Sequence, residues 1–429
     1  MSQLGFVARR TLGIVVTVVL PGVAPALAAP PAPPALSPEP LPPMSVLEAI
    51  PPVPAPPPPP AAPAALGVAG LSKLLEADVG TRLDLRAQNP SHPENLNGLG
   101  MEGQVQLLLS GQALRHVLWQ ADFVGTFGTI AQANGTGTSG TGSQTNGTGT
   151  SGTGSQTSLY DTTGSAAVLD LIARFEFHEA FNLWVGRMLV PADRSGLSTE
   201  WSSAPWLLPG QFSASAPAGA RHGPHGRSDG VTLWGQLGGG TFKYYLGAFN
   251  LADPTQSPLC SARLSLSLFN PEPGYRHAST YYGSKDILAL GAGFQYQHNG
   301  SQGTVAQADF TDLNFDVLFE KNLGLAGVID LEAAFYKIWD SYAPETLSYF
   351  FLASYLLPIE VGPGRFQFLF RLQQAYGRGT NNADAVTDDA QLGYIIDGLR
   401  ARVALDYQYS NVLGQAGNAL LLGLQLMTK

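Results

Sequence analysis

The sequence predicts an all-β fold: a transmembrane antiparallel up-and-down β-barrel of about 16 strands, behind an N-terminal signal peptide and a Pro-rich spacer. Three observations carry that expectation. Arg365 to Gln373 reads RFQFLFRLQ, which sets Phe366, Phe368, Phe370 and Leu372 on one strand face and Arg365, Gln367, Leu369, Arg371 and Gln373 on the other. That alternation recurs along most of the chain, with almost no helix-like segment to cover the apolar faces. Charged residues make up only 13% of the chain, about half the share usual in soluble domains.

The elements follow in order. Arg9 and Arg10, the apolar Leu12 to Leu20 and the small-x-small Ala26-Leu27-Ala28 form a secretory signal peptide over 1–28. Its apolar core ends at Pro21, short of the roughly 20 residues a spanning helix needs. Loss of Arg9 and Arg10 takes the net charge from −9 to −11, which argues against a nucleic-acid partner. Residues 29–70 contain the run Pro56 to Pro60 and read as a disordered periplasmic spacer of polyproline II character. It is either an arm for a cell-wall or periplasmic partner or a leader with none.

The barrel is expected over 71–429, with strands at 72–88, 100–110, 115–127, 165–178, 181–191, 229–238, 241–250, 259–269, 285–298, 307–321, 326–339, 346–358, 364–377, 388–397, 399–410 and 418–428. The count is even, as single-chain bacterial barrels require. Residues 134–145 (NGTGTSGTGSQT) repeat unchanged at 146–157, so 134–157 is a Gly/Thr/Ser tandem repeat suited to a surface loop. Its Gly135, Gly137 and Gly140 match a dinucleotide fingerprint, but no strand–helix frame surrounds them.

Tight turns are expected at 178–180, 238–240, 321–326 and 397–398, where Asp397-Gly398 is a hairpin signal. The intervening connections at 89–99, 128–164, 192–228 and 378–387 are longer. Residues 270–284 break the rule, and mark either an ordered periplasmic loop or a slip of register. Cys260, the single cysteine, excludes an intrachain disulfide and reads as a buried small residue.

Facing lipid at the bilayer midplane costs an arginine or lysine about 2–4 kcal/mol, so the charged faces are assigned to the lumen. The candidates are Asp78, Arg82, Asp84 and Arg86, then Asp170, Arg174 and Glu176. Further along come Asp312, Asn314 and Asp316, Asp330 and Glu332, Arg365 and Arg371, and Arg400, Arg402, Asp406 and Gln408. Both signs occur. Residues 192–228 are the candidate constriction loop, with Arg194, Arg221 and Arg227 on it and Arg187, a further pore-lining candidate, just before it. His222 and His225 are three apart, but no third ligand is evident, so no metal is assigned. Trp201, Trp206 and Phe212 are suited to folding the loop on itself.

Asn182 to Ser195 (NLWVGRMLVPADRS) resembles the strand-then-loop signature of the phosphate-selective porin O and P family and its porin-like relatives. Asn270 to Gln297 resembles a second block of such proteins, and Asn314 to Leu323 and Leu392 to Tyr407 also fit. The resemblance spans most of 75–429. It implies a sixteen-stranded, trimeric channel in the bacterial outer membrane, set in lipid and lipopolysaccharide. It assigns Arg187 and Arg194 as wall and loop residues. The chain departs from the family in lacking a Lys-rich constriction and in its acidic balance. It ends in Leu426-Met427-Thr428-Lys429, with no terminal aromatic.

The expected activity is passive diffusion of small hydrophilic solutes, with anions or phosphate as candidates and no cofactor. Two alternatives stand beside it, a surface-anchoring or adhesion barrel and an outer-membrane barrel enzyme. Neither Gly-x-Ser-x-Gly nor His-Glu-x-x-His occurs, and His178-Glu179 lies at a turn.

Overall fold

The structure is a computed structural model that describes residues 75–88, 96–129, 162–207, 226–252, 257–300, 309–339, 345–378, 384–412 and 414–428. The chain divides into two units, Met1–Pro63 and Ala64–Lys429, and every described residue belongs to the second. The signal segment, the spacer and the tandem repeat lie outside the described residues, as do Arg221, His222, His225 and Phe212.

Sixteen strands follow one another: β1 (Glu76–Ala87), β2 (Leu99–Leu114), β3 (Val117–Thr129), β4 (Thr162–His178), β5 (Phe181–Leu189), β6 (Arg227–Leu237), β7 (Phe242–Phe249) and β8 (Leu259–Ser267). Then come β9 (Ile287–Gln297), β10 (Phe310–Asn322), β11 (Val328–Trp339), β12 (Glu345–Val361), β13 (Gly364–Arg378), β14 (Ala385–Asp397), β15 (Ala401–Val412) and β16 (Gln415–Met427). Each pairs antiparallel with its neighbours in sequence, and β1 pairs with β16 from Gly80↔Met427 to Ala87↔Leu420. The sheet is therefore a closed barrel without a free edge, which satisfies the ladder hydrogen bonds internally.

The predicted alternation sorts the side chains. On β13, Gln367, Leu369, Arg371 and Gln373 are buried inside, while Phe368 and Phe370 are about half exposed on the outside. On β10, Asp312, Asn314 and Asp316 are inside and Phe315 is outside. The inner face is charged and amide-rich; the outer face is a belt of Leu, Val and Phe.

Tight connections gather at one end of the barrel, including 179–180, 238–241, 362–363 and 398–400. Gly398 has φ +52°, the left-handed conformation its turn requires. Arg400 lies in this turn, exposed and paired with Asp397 at 2.5 Å, so it does not line the lumen as its parity suggested. Most connections at the other end are longer. The 268–286 segment is the long exception at the turn end, and β8 and β9 remain in register across it. Residues 270–284 are thus an ordered loop and not a register slip. Cys260 corrects another expectation: it stands exposed on the outer face of β8, between the buried Leu259 and Ser261.

Candidate pore constriction

Two segments enter the barrel from opposite ends and meet inside it. The first follows β5. Its one helical turn, α1 (Arg194–Leu197), is capped by Asp193, whose Oδ1 accepts from the Gly196 amide at 2.8 Å. The chain then crosses the lumen through Leu207. The second is the 268–286 segment. The His277 amide donates to the Leu197 carbonyl at 3.2 Å and the Ser279 amide to that of Ser202 at 3.1 Å. Ser279 Oγ accepts from the Ala204 amide at 2.6 Å.

At this junction lies a buried ion pair. Arg194 donates through both terminal nitrogens to Glu272, and also to the Ala278 carbonyl at 2.8 Å. Glu272 also accepts from Ser267 at 3.0 Å and Tyr281 at 2.7 Å. Burial works against both charges. Arg194 nevertheless holds Glu272 far below the usual carboxylate range, and Glu272 raises Arg194 above its ordinary value. Asp193 is raised by burial, against the pull of its bond from the Tyr336 hydroxyl. Burial, with Lys243 close by, pushes His277 down to about 3.

The far end of the first segment is held by wall arginines. Arg402 donates to the Ser203 and Ala204 carbonyls at 2.6 and 3.1 Å. Arg82 donates to those of Glu200 and Trp206, and Arg371 to that of Leu207 at 3.0 Å. Trp206 lies with the Arg82 and Arg402 guanidiniums 4.1 and 5.2 Å from its ring, and its Nε1 donates to Asp84 at 2.8 Å. Gly423 leaves room for it: a Cβ there would sit 2.1 Å from the indole. Trp201 and Trp206 thus pack on the barrel wall at the β1–β16 seam, where the sequence suggested a loop folded on itself.

The predicted site residues fall into four groups. Arg194, Arg227, Arg371 and Arg402 all lie inside, each 3% exposed or less. Arg227 pairs with Asp170 at 2.8 Å and Arg371 with Asp389. Asp312, Asp316, Asp330 and Glu332 form an acidic stretch on β10 and β11. Asp316 is paired with Arg263 at 2.5 Å, and Glu332 has no hydrogen-bond partner among the described residues. Arg174 and Arg365 are half-buried near the turn end, Arg174 paired with Glu176 at 2.6 Å.

Arg187 is the correction. It pairs in register with Leu171, which is 60% exposed on the outer face. The inward residues of β5 are Asn182, Trp184 and Met188, so Arg187 points outward and does not line the lumen. It lies three positions after Trp184, and an odd offset on an unbroken strand reverses the face.

Sequence reasoning missed Glu272, His277 and Tyr281 as interior residues. The length of 270–284, too great for a turn, was the signal. Among the described residues no group of three His, Cys, Asp or Glu is arranged to hold a metal ion.

No protein-family model matches the sequence, and no curated protein matches it. Solved structures do. OmpF of Salmonella typhi superposes with a TM-score of 0.53 at 12% identity, over 82% of this chain and 97% of that one. OprB of Pseudomonas putida superposes with a TM-score of 0.52 at 9% identity, over 83% and 94%. At such identities the likeness is one of fold, and this chain, a closed barrel of sixteen strands, shares its fold with those proteins.

Proposed function

We propose that the chain is a porin of the bacterial outer membrane, passing small hydrophilic solutes by diffusion through a constricted lumen. One observation carries the reading: a closed ring of sixteen strands is apolar outside and lined inside by charges of both signs. Such an object is at home only with its outside in lipid. In this reading the turn end is periplasmic, the segment 1–28 directs export, and lipid and lipopolysaccharide surround a homotrimer. The 29–70 arm faces a cell-wall or periplasmic partner. No catalytic group is needed.

An anion preference, phosphate included, rests here on Arg82 and Arg402, which donate to backbone carbonyls. Arg194, Arg227 and Arg371 have carboxylate partners that offset their charge. A salt gradient across a planar bilayer tests this. Discrete conductance steps are expected, with a reversal potential that moves towards cation selectivity in Arg82→Gln and Arg402→Gln. Unchanged reversal potentials would remove both residues from the selectivity site. The meeting of two segments inside the lumen favours the second reading, an anchoring barrel closed to solutes, and a silent bilayer would establish it.

A further inference from the structure

At the turn end of the lumen, between the inner wall of β4 to β6 and the 268–286 segment, lies a cavity of about 410 Å³. That volume falls in the range of about 300–1,000 Å³ usual for small-molecule sites. Trp184 and Trp234 of the wall and Tyr275 of the segment line it, and His178 and Glu179 of the β4–β5 turn stand at its rim.

The two indoles are the first observation. Each tryptophan is 5% exposed, and neither indole N–H has a hydrogen-bond partner among the described residues. A buried donor of this kind has given up water without a replacement. The rings are fixed by their neighbours. Tyr275 stacks on Trp184 with ring centres 4.5 Å apart, and the Arg174 guanidinium lies over the same indole at 4.7 Å. Trp234 meets Trp184 and Tyr275 edge to face at 5.5 and 5.6 Å. With their faces engaged, what these indoles offer a ligand is a rigid pair of N–H donors.

The polar lining is the second. Arg174 donates through Nε and Nη2 to Glu176 Oε1 at 2.9 and 2.6 Å, which offsets the two charges and leaves Nη1 and Oε2 for a ligand. Gln236 Oε1 accepts from the Gly274 amide at 2.9 Å, and Asn182 Nδ2 donates to the Glu179 carbonyl at 3.3 Å. The other polar atom of each side-chain amide is left, one a donor and one an acceptor. An anion entering here meets Glu176, Glu179 and a guanidinium already paired. A cation meets Arg174 and two indole donors. A carbonyl compound serves the donors and leaves the acceptors unmet. A hydroxyl both donates and accepts, so a ring bearing several of them satisfies both kinds at once.

We propose that this cavity is a binding site for a small uncharged saccharide, entered from the turn end of the lumen. The proposal rests on the porin reading and deepens it by naming a class of solute. The indole N–H groups of Trp184 and Trp234 hold sugar oxygens, and Arg174, Glu176, Asn182 and Gln236 complete the recognition.

Calorimetric titration of the full-length barrel, in a detergent without a sugar headgroup, tests the site with glucose, sucrose and inorganic phosphate as separate titrants. Saturable heat is expected from at least one sugar and none from phosphate. Trp184→Phe and Trp234→Phe each keep an aromatic ring and delete the N–H; each is expected to weaken sugar binding about tenfold with strand circular dichroism unchanged. Trp339→Phe, on the outer wall, is expected to leave the affinity as it is. Absence of saturable heat from both sugars would overturn the proposal, as would sugar binding that both Phe variants retain at full strength. Conductance of the same preparation keeps the two readings apart. Discrete steps without sugar binding overturn the site and leave the porin reading standing; sugar binding by a silent barrel does the reverse.

Discussion

At the scale of single residues, the interior is organised by Arg194 and Glu272, which are 78 positions apart and each about 1% exposed. Breaking a buried ion pair from one side leaves an uncompensated charge, at a loss of about 3–5 kcal/mol. Arg194→Ala and Glu272→Gln are each expected to lower the unfolding free energy by an amount in that range, read by urea titration of the folded barrel in detergent. The double replacement Arg194→Met with Glu272→Leu should lose less than the two single losses added together. His277 gives the pH dependence. It faces Glu272, Lys243, Tyr245 and Arg194, and burial lowers it to about 3 from an ordinary 6.5. Between those values the unfolded chain binds a proton that the folded one refuses, so stability rises with pH through this window. Acidification from pH 6.5 to 3 should therefore weaken the wild-type barrel, and His277→Gln should flatten that limb. An unaltered slope would show that other groups control it.

At the scale of elements, the segment from Asp193 to Leu207 is a strap held at both ends. Its near end is clasped to the 268–286 segment and its far end is pinned by Trp206 on the β1–β16 seam. Trp206→Ala removes a ring that two guanidiniums cover and a hydrogen bond to Asp84, while leaving the ladders untouched. The expected result is a larger single-channel conductance from a barrel of unchanged strand content. Gly423→Leu should act in the same direction by occupying the indole's place. Unchanged conductance in both would separate the strap from the pore's width.

The strands themselves were legible because alternation is a local signal. All sixteen expected segments coincide with strands, and the turns at Gly398 and at 238–240 fall where glycine marked them. The strap's partners were not legible. Nothing near Arg194 in sequence announces Glu272, and Arg82 reaches the Trp206 carbonyl 124 residues away. Arg187 was misread for a different reason: its charge was weighed before its parity, and a charged residue on the outer wall looked too expensive to accept.

At the scale of the whole molecule, closure and sidedness account for the rest. Sixteen antiparallel ladders satisfy the backbone around the ring, so the barrel needs no disulfide, and its single thiol stands on the outer wall. Sidedness is the central claim, because the lumen and the strap follow from which side of each strand meets lipid. The most direct test is a cysteine scan from Phe366 to Gln373 in the Cys260→Ser background, each thiol carrying a fluorophore and challenged in vesicles with a lipid-confined quencher. Strong quenching is expected at 366, 368, 370 and 372 and little at 367, 369, 371 and 373. Uniform quenching, or none at any position, would contradict the account.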